Sequence, residues 1–141
     1  MSDTKSKRNP GVVNRSAPKS AVVPVLVYED VSKAIEWLCK AFGLTERLRA
    51  QGPGGRVTHA QLSIGDGDVM IGASGAEFRS PRPNEVNQYV LVRVVDVERH
   101  FDHAKRFGAR MVHPPRPTCH SARRCTRSRI WAATAGRFRS R

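Results

Sequence analysis

The side chains best suited to chemistry lie at alternating positions of one short segment. Residues Val57–Ile64 alternate between polar and apolar types, which predicts a β-strand with one polar face carrying His59, Gln61 and Ser63. Imidazole can move protons or ligate a metal, and a neighbouring amide can donate and accept hydrogen bonds. A single histidine is more often a hydrogen-bonded cleft or surface residue than a metal ligand. His59 and Gln61 are therefore candidates for binding a substrate.

Three further candidates, Tyr28, Tyr89 and Arg93, flank two similar apolar runs, VLVY and YVLVR. Superposing the two runs at VLV places these three residues on one strand face, together with Leu26 and Leu91. The valines of the opposite face are expected to pack against helices. Tyr28, His59, Gln61, Tyr89 and Arg93 then supply the polar groups of a mostly apolar cleft. A solvated sheet face is the open alternative, and Arg93 suits a ligand carboxylate or a neighbouring Glu equally well.

Both runs belong to a unit that occurs twice, at Pro24–Leu44 and Tyr89–Ala109. Each copy contains a short strand, an aspartate in N-cap position (Asp30 or Asp96), an amphipathic helix and a terminal Phe-Gly. Between the copies, strands are predicted near Leu44–Ala50, Val57–Ile64 and Val69–Ala73. The first unit is thus β-α-β-β-β, and the second begins in the same way.

Charge divides the chain into segments. The net charge is +13, but residues 21–115 carry twelve basic and eleven acidic side chains, and the excess belongs to residues 1–20 and 116–141. A neutral central part argues against a specific nucleic-acid-binding domain. The predicted organisation is a disordered basic leader at 1–20, one domain at 21–115 and an Arg-rich tail at 116–141. That domain comprises a first module at 21–74, a linker at 75–87 and the start of a second module at 88–115.

Other sequence features limit the function further. No apolar run approaches the length of a membrane span, and the N-terminus lacks the apolar core of a signal peptide, so the expected location is the cytoplasm. Three scattered cysteines form neither a disulfide framework nor a metal-binding motif.

The segments VPVLVYEDVSKAIEWLCKAFGL, RVTHAQLSIGDGDVMIG and YVLVRVVDVERHFDHAKRFGARMVHPP resemble the glyoxalase/bleomycin-resistance/dioxygenase group of the vicinal oxygen chelate superfamily. The resemblance covers about two thirds of the chain. It implies an α+β fold in which paired βαβββ modules form a curved sheet around a small-molecule cleft. Half-sheets have free strand edges that can pair between two copies of the chain, so a homodimer is also consistent with this fold.

The resemblance also implies a divalent metal held by His or Glu on the first and last strands of each module. This chain departs from that pattern. Val22–Val25, Val69–Gly72 and Gln88–Val90 occupy the expected ligand positions and contain no His or Glu. The expectation is therefore that no metal is bound.

The final part of the chain, from Arg116, contains eight Arg and no acidic residue. The codons of Cys125 through Ser140 can also be read in the neighbouring frame, in which each codon starts at the third base of the present one. In that frame they can encode YTVEDLGGHRWTFSQ, which is typical of this family's closing strands. The Trp131–Ala132 junction can encode only Gly in that frame. We therefore predict a frameshift near Pro115–Thr118, an incomplete second module and a tail without stable tertiary contacts.

Three functional hypotheses follow. The first is a small-molecule-binding protein of the bleomycin-resistance type that needs no metal. The second is a metal-dependent lyase, isomerase or dioxygenase of the same superfamily. The third is a non-functional frameshift product. The ligand and any reaction lie beyond what the residues indicate.

Overall fold

The computed structural model of the chain describes residues 17–82, 85 and 89–111, together with the backbone of 127–130. Its helices and strands, in chain order, are β1 Val25–Tyr28, α1 Val31–Phe42, β2 Thr45–Gln51, β3 Val57–Ile64, β4 Gly67–Ala73, β5 Val90–Arg93, α2 Val97–Arg106 and β6 Arg127–Ile130. The predicted α+β class is confirmed, and the first module has the expected βαβββ order.

The first module forms a four-stranded sheet in the order β1-β4-β3-β2. Strands β2, β3 and β4 pair antiparallel as successive hairpins, whereas β1 pairs parallel to β4. The parallel pairing requires a crossover between the two strands. Helix α1 begins that crossover and covers one face of the sheet, where the apolar core lies.

Both helices begin as predicted from the aspartates that precede them. The side chain of Asp30 accepts a hydrogen bond from the Lys33 N–H at 3.1 Å, and that of Asp96 accepts one from the Arg99 N–H at 3.0 Å. Each bond satisfies a donor that the first helical turn leaves free. Helix α1 ends at Gly43, whose φ of 71° is the left-handed conformation that glycine adopts without strain.

The predicted assignment of faces is wrong for β1. Leu26 and Tyr28 lie in the core, whereas Val25 is 47% exposed on the opposite face. Superposing the two VLV runs gave the wrong register because the second copy has one more residue before its N-cap. Counting back from Asp30 and Asp96 pairs Tyr28 with Val94, and half-buried valines then occupy the core side of the second copy.

The two ends of the chain also differ from expectation. In the tail, β6 pairs antiparallel with β5, from Val90 opposite Ile130 to Arg93 opposite Arg127, so the predicted absence of contacts is wrong there. The pairing satisfies backbone groups that β5 would otherwise expose at a sheet edge. The predicted frameshift point, 115–118, lies outside the described residues. In the leader, the backbone N–H groups of Lys19 and Ser20 bond to Asp68.

Candidate functional site

The candidate site is the face of the first sheet that points away from α1, here called the outer face. Strand alternation and register place its members opposite one another across three strand pairs. They are Val25 and Val27 of β1, Leu48 and Ala50 of β2, His59, Gln61 and Ser63 of β3, and Asp68, Met70 and Gly72 of β4. The central strand contributes the polar groups, and its neighbours contribute mostly apolar ones.

His59 and Gln61 are the two functional groups that the fold brings together at the centre of this face. Gln61 is only 2% exposed and lies between Leu48 and Met70 in the strand register. His59 is half-buried and lies between Ala50 and Gly72. A hydrogen-bonding amide and imidazole among apolar side chains are the usual composition of a small-molecule site.

Gly72 lies beside His59 on this face and adds no side chain there. A Cβ atom at this position would lie 3.7 Å from Cγ1 of Val25, which is ordinary van der Waals contact. An alanine would therefore fit, and the glycine leaves a shallow depression between His59 and Val27, its neighbours on the adjacent strands.

One end of the outer face is closed by Asp68, whose side chain is only 5% exposed. One carboxylate oxygen accepts from the N–H groups of Lys19 and Ser20 and from the Ser20 hydroxyl, and the other lies 3.4 Å from Nη1 of Arg47. Burial acts to raise the pKa of Asp68, but these hydrogen bonds outweigh it and hold the pKa below its usual value. Asp68 therefore serves as an anchor for the chain entering β1.

The other three predicted site residues lie elsewhere. Tyr28 is in the core beneath α1, where burial raises the pKa of its phenol, so its placement in the cleft is corrected. Tyr89, which is 64% exposed, and Arg93 belong to β5 and its approach, in the second sheet.

The same face also contains Asp68, Met70 and Leu48, which are not among the residues predicted from the sequence. The predicted Asp66-Gly67 hairpin contained the signal for the first two. A tight turn there sets Ile64 opposite Gly67, and counting outward puts Asp68 opposite Ser63 and Met70 opposite Gln61. Leu48 was not predictable in this way, because a register shift between Glu46 and Leu48 interrupts the alternation of β2.

The described residues of this face do not fit a divalent metal. His59 is its only imidazole, and Gln61 and Ser63 supply neutral oxygens. Its carboxylate, Asp68, is already bonded to Lys19, Ser20 and Arg47. A catalytic zinc site usually has three protein ligands drawn from His, Cys and carboxylates. Across the described part of the chain, no group of three His, Cys, Asp or Glu side chains is placed to hold a metal ion.

Comparison with known proteins assigns the family. The model of the Glyoxalase/Bleomycin resistance protein/Dioxygenase superfamily matches residues 21–131, well over half of the chain. The chain belongs to this superfamily. The predicted family is thereby confirmed, and the match extends through β6.

Individual proteins are also similar to this chain. Uncharacterized proteins Mb0911c of Mycobacterium bovis and Rv0887c of Mycobacterium tuberculosis are each 32% identical to this chain in a 98-residue alignment that covers 65% of it. The aligned part spans only 64% and 58% of their own lengths. The crystal structure of TioX from Micromonospora sp. ML1 superposes with a TM-score of 0.57 at 33% identity, covering 70% of this chain and 80% of TioX.

The described part of the chain contains two α-helices. Neither of its two α-helices is long and apolar enough to cross a bilayer.

Proposed function

We propose that this chain binds a small molecule on the outer face of its first sheet, without a metal, as a cytoplasmic protein of the bleomycin-resistance type. The observation that carries the proposal is the placement of His59 and Gln61 side by side on β3, among Met70, Leu48 and Val27. The apolar side chains would supply most of the contact area, and the imidazole and amide would orient the ligand.

Tyr89 and Arg93 remain candidates for the second wall of such a site. Both lie on the side of β5 that faces away from the core, together with Leu91. A second copy of the chain could bring these residues to the outer face, which makes a homodimer the natural form in which to test them.

The test is a ligand titration on the whole chain. Metal-free bleomycin and a panel of neutral and anionic aromatic compounds are screened by thermal shift, and any ligand found is titrated by calorimetry. Gln61→Leu and His59→Phe keep similar volumes but remove the polar groups. Each is expected to weaken binding by about tenfold, the cost of one hydrogen bond at roughly 1–1.5 kcal/mol.

Lys33→Gln, on the exposed side of α1, is the matched control and should bind like the wild type. A folded chain that shifts with no compound, or the same affinity in all three variants, would remove the proposal. Binding that disappears in EDTA and returns stoichiometrically with Mn²⁺, Ni²⁺ or Zn²⁺ would favour the metal-dependent enzyme instead. A chain without cooperative unfolding would favour the frameshift product.

A further inference from the structure

The two modules meet where α1 packs against α2, and this contact is rich in rings. Two hydrogen bonds cross it: Nε1 of Trp37 donates to the Phe107 carbonyl at 3.0 Å, and Nε2 of His103 lies 2.8 Å from the Lys40 carbonyl. Because a carbonyl can only accept, His103 carries its proton on Nε2 in this contact. We call this set of side chains, with Phe42 and His100, the intermodule contact.

His100 is the unusual member of the intermodule contact. Its ring lies against that of Phe42, with centroids 6.1 Å apart at 34°, and Phe42 in turn meets Trp37 edge-on at 5.1 Å. The Nε2 atom of His100 is buried and has no hydrogen-bond partner among the residues that the structure describes. A buried polar atom without a partner is uncommon in proteins and costs stability.

We propose that His100 makes the packing of the two modules pH-sensitive, with the modules held together while its imidazole is neutral and loosened when it is protonated. Protonation gives both ring nitrogens an N–H. The buried Nε2 would then be a charged donor without an acceptor, against an aromatic ring. It would also face a second histidine one turn along the same helix.

Among the described residues, the surroundings of His100 contain little that could compensate a positive charge. From α1 it meets the Phe42 ring, while Glu36 and Lys40 of that helix are exposed. On α2, His103 is the group whose charge acts on it. Strand β5 presents Val90 and Val92 to the core and exposes Arg93.

The sign of the effect follows from linkage. Burial, and then the charge of His103, lower the pKa of His100 below its ordinary value of 6.5. Above that value His100 is neutral in both the folded and unfolded states, and its protonation does not reduce the free energy of unfolding. Below it the unfolded chain binds the proton first, so stability falls as pH falls until the folded-state pKa is reached.

The experiment uses the full chain in a Trp131→Phe background, so that Trp37 alone reports on the contact. Urea unfolding is followed by Trp37 fluorescence at pH 7.5, 6.5 and 5.5. The folding equilibrium constant is expected to fall by up to about tenfold per pH unit below 6.5. His100→Phe, which keeps a ring against Phe42, should remove this part of the decline. Lys33→Gln, on the exposed side of α1, should leave it unchanged.

An equal pH-dependent decline in His100→Phe and in the parent would overturn the proposal. So would a histidine NMR titration of the parent in which the His100 resonance titrates at or above the value of an unfolded peptide. A parent chain that shows no cooperative unfolding at pH 7.5 would overturn it as well, because the intermodule contact would not exist. If His100→Phe does not fold, the NMR titration decides.

Discussion

The two modules begin with the same local structure and differ in what that structure packs against. Helix α1 buries half of its twelve residues: Val31, Ala34, Ile35, Leu38, Ala41 and Phe42. Helix α2, with the same aspartate N-cap and ten residues, buries only Ala104. In the part of the chain that the structure describes, the first helix covers a four-stranded sheet and the second lies beside a two-stranded one. Capping and periodicity therefore specify a helix, but burial of its apolar side depends on the width of the sheet.

The strands show the same contrast. Leu26 of β1 is almost completely buried, whereas Val92, at the equivalent distance from its N-cap, is only half-buried. Leu91 is 52% exposed and Val95 is 95% exposed on the second module. Apolar side chains that are buried in the first module thus have counterparts in the second that remain partly exposed to water. Exposed apolar area contributes little to stability.

The largest change is expected from restoring the neighbouring reading frame. Replacing residues 126–140 with YTVEDLGGHRWTFSQ would give the second module alternating strand sequence at the position where β6 lies. Burying two large side chains such as Leu and Trp should raise the unfolding free energy by about 3–6 kcal/mol. Urea denaturation of both chains measures the difference, and sequencing the gene from His113 onward tests the frameshift directly. Equal stability of the two chains would mean that the tail as written completes the module.

Alanine substitution at equivalent core positions should affect the modules unequally. Leu26→Ala is expected to cost about 2–5 kcal/mol because the site is enclosed. Val92→Ala, with the same position relative to its N-cap, should cost about 1 kcal/mol because the side chain already contacts water. Chemical denaturation gives both values. Similar costs at the two positions would contradict the argument that the second module is poorly covered.

Asp68→Ala should release the contact that holds the chain entering β1. Among the residues described, the second module has no equivalent contact. The carboxylate orders Lys19 and Ser20 and pairs with Arg47, and its loss is expected to cost about 1–2 kcal/mol. Since the pKa of Asp68 is lowered on folding, its contribution is complete above its ordinary value near 3.8 and is lost as pH falls below it. Denaturation as a function of pH should therefore show a smaller acid loss in Asp68→Ala than in the wild type. Trypsin should also cut faster after Lys19.

The smallest effects should be nearly equal in the two modules. Asp30→Ala and Asp96→Ala each remove one N-cap hydrogen bond of similar length and should each cost about 1 kcal/mol. Far-UV circular dichroism during urea unfolding measures both. A cost for Asp96 well below that for Asp30 would show that α2 is frayed at its start, and that the modules differ in local structure as well as in packing.

Sequence reasoning recovered what depends on local chemistry. The helix starts at Asp30 and Asp96, the left-handed end at Gly43 and the βαβββ order all follow from residues close together in the chain. The pairing of His59 with Gln61 followed from strand alternation. The strand face on which Tyr28 lies did not follow from alternation. The two runs can be aligned at VLV or by distance from their N-caps, and the correct alignment depends on which strand face meets the helix.

The rest depended on contacts between distant residues. The burial of Asp68 arises from Lys19, Ser20 and Arg47, which no local pattern connects with it. The pairing of β6 with β5 joins a segment of unfavourable composition to a strand more than thirty positions earlier. An open strand edge can form backbone hydrogen bonds with a segment of almost any side-chain composition. The composition of the tail therefore did not reveal the pairing of β6 with β5.

The parallel pairing of β1 with β4 has a consequence for how the chain folds during synthesis. Val25 lies opposite Met70, so this ladder joins residues 45 positions apart, whereas the β3–β4 hairpin closes through a tight turn. Closing the longer loop costs more chain entropy, and the shorter hairpin should form first. On the ribosome, β1 and α1 must therefore wait until β4 has emerged. During that interval Leu26 and the apolar side of α1 are open to chaperones and to other nascent chains.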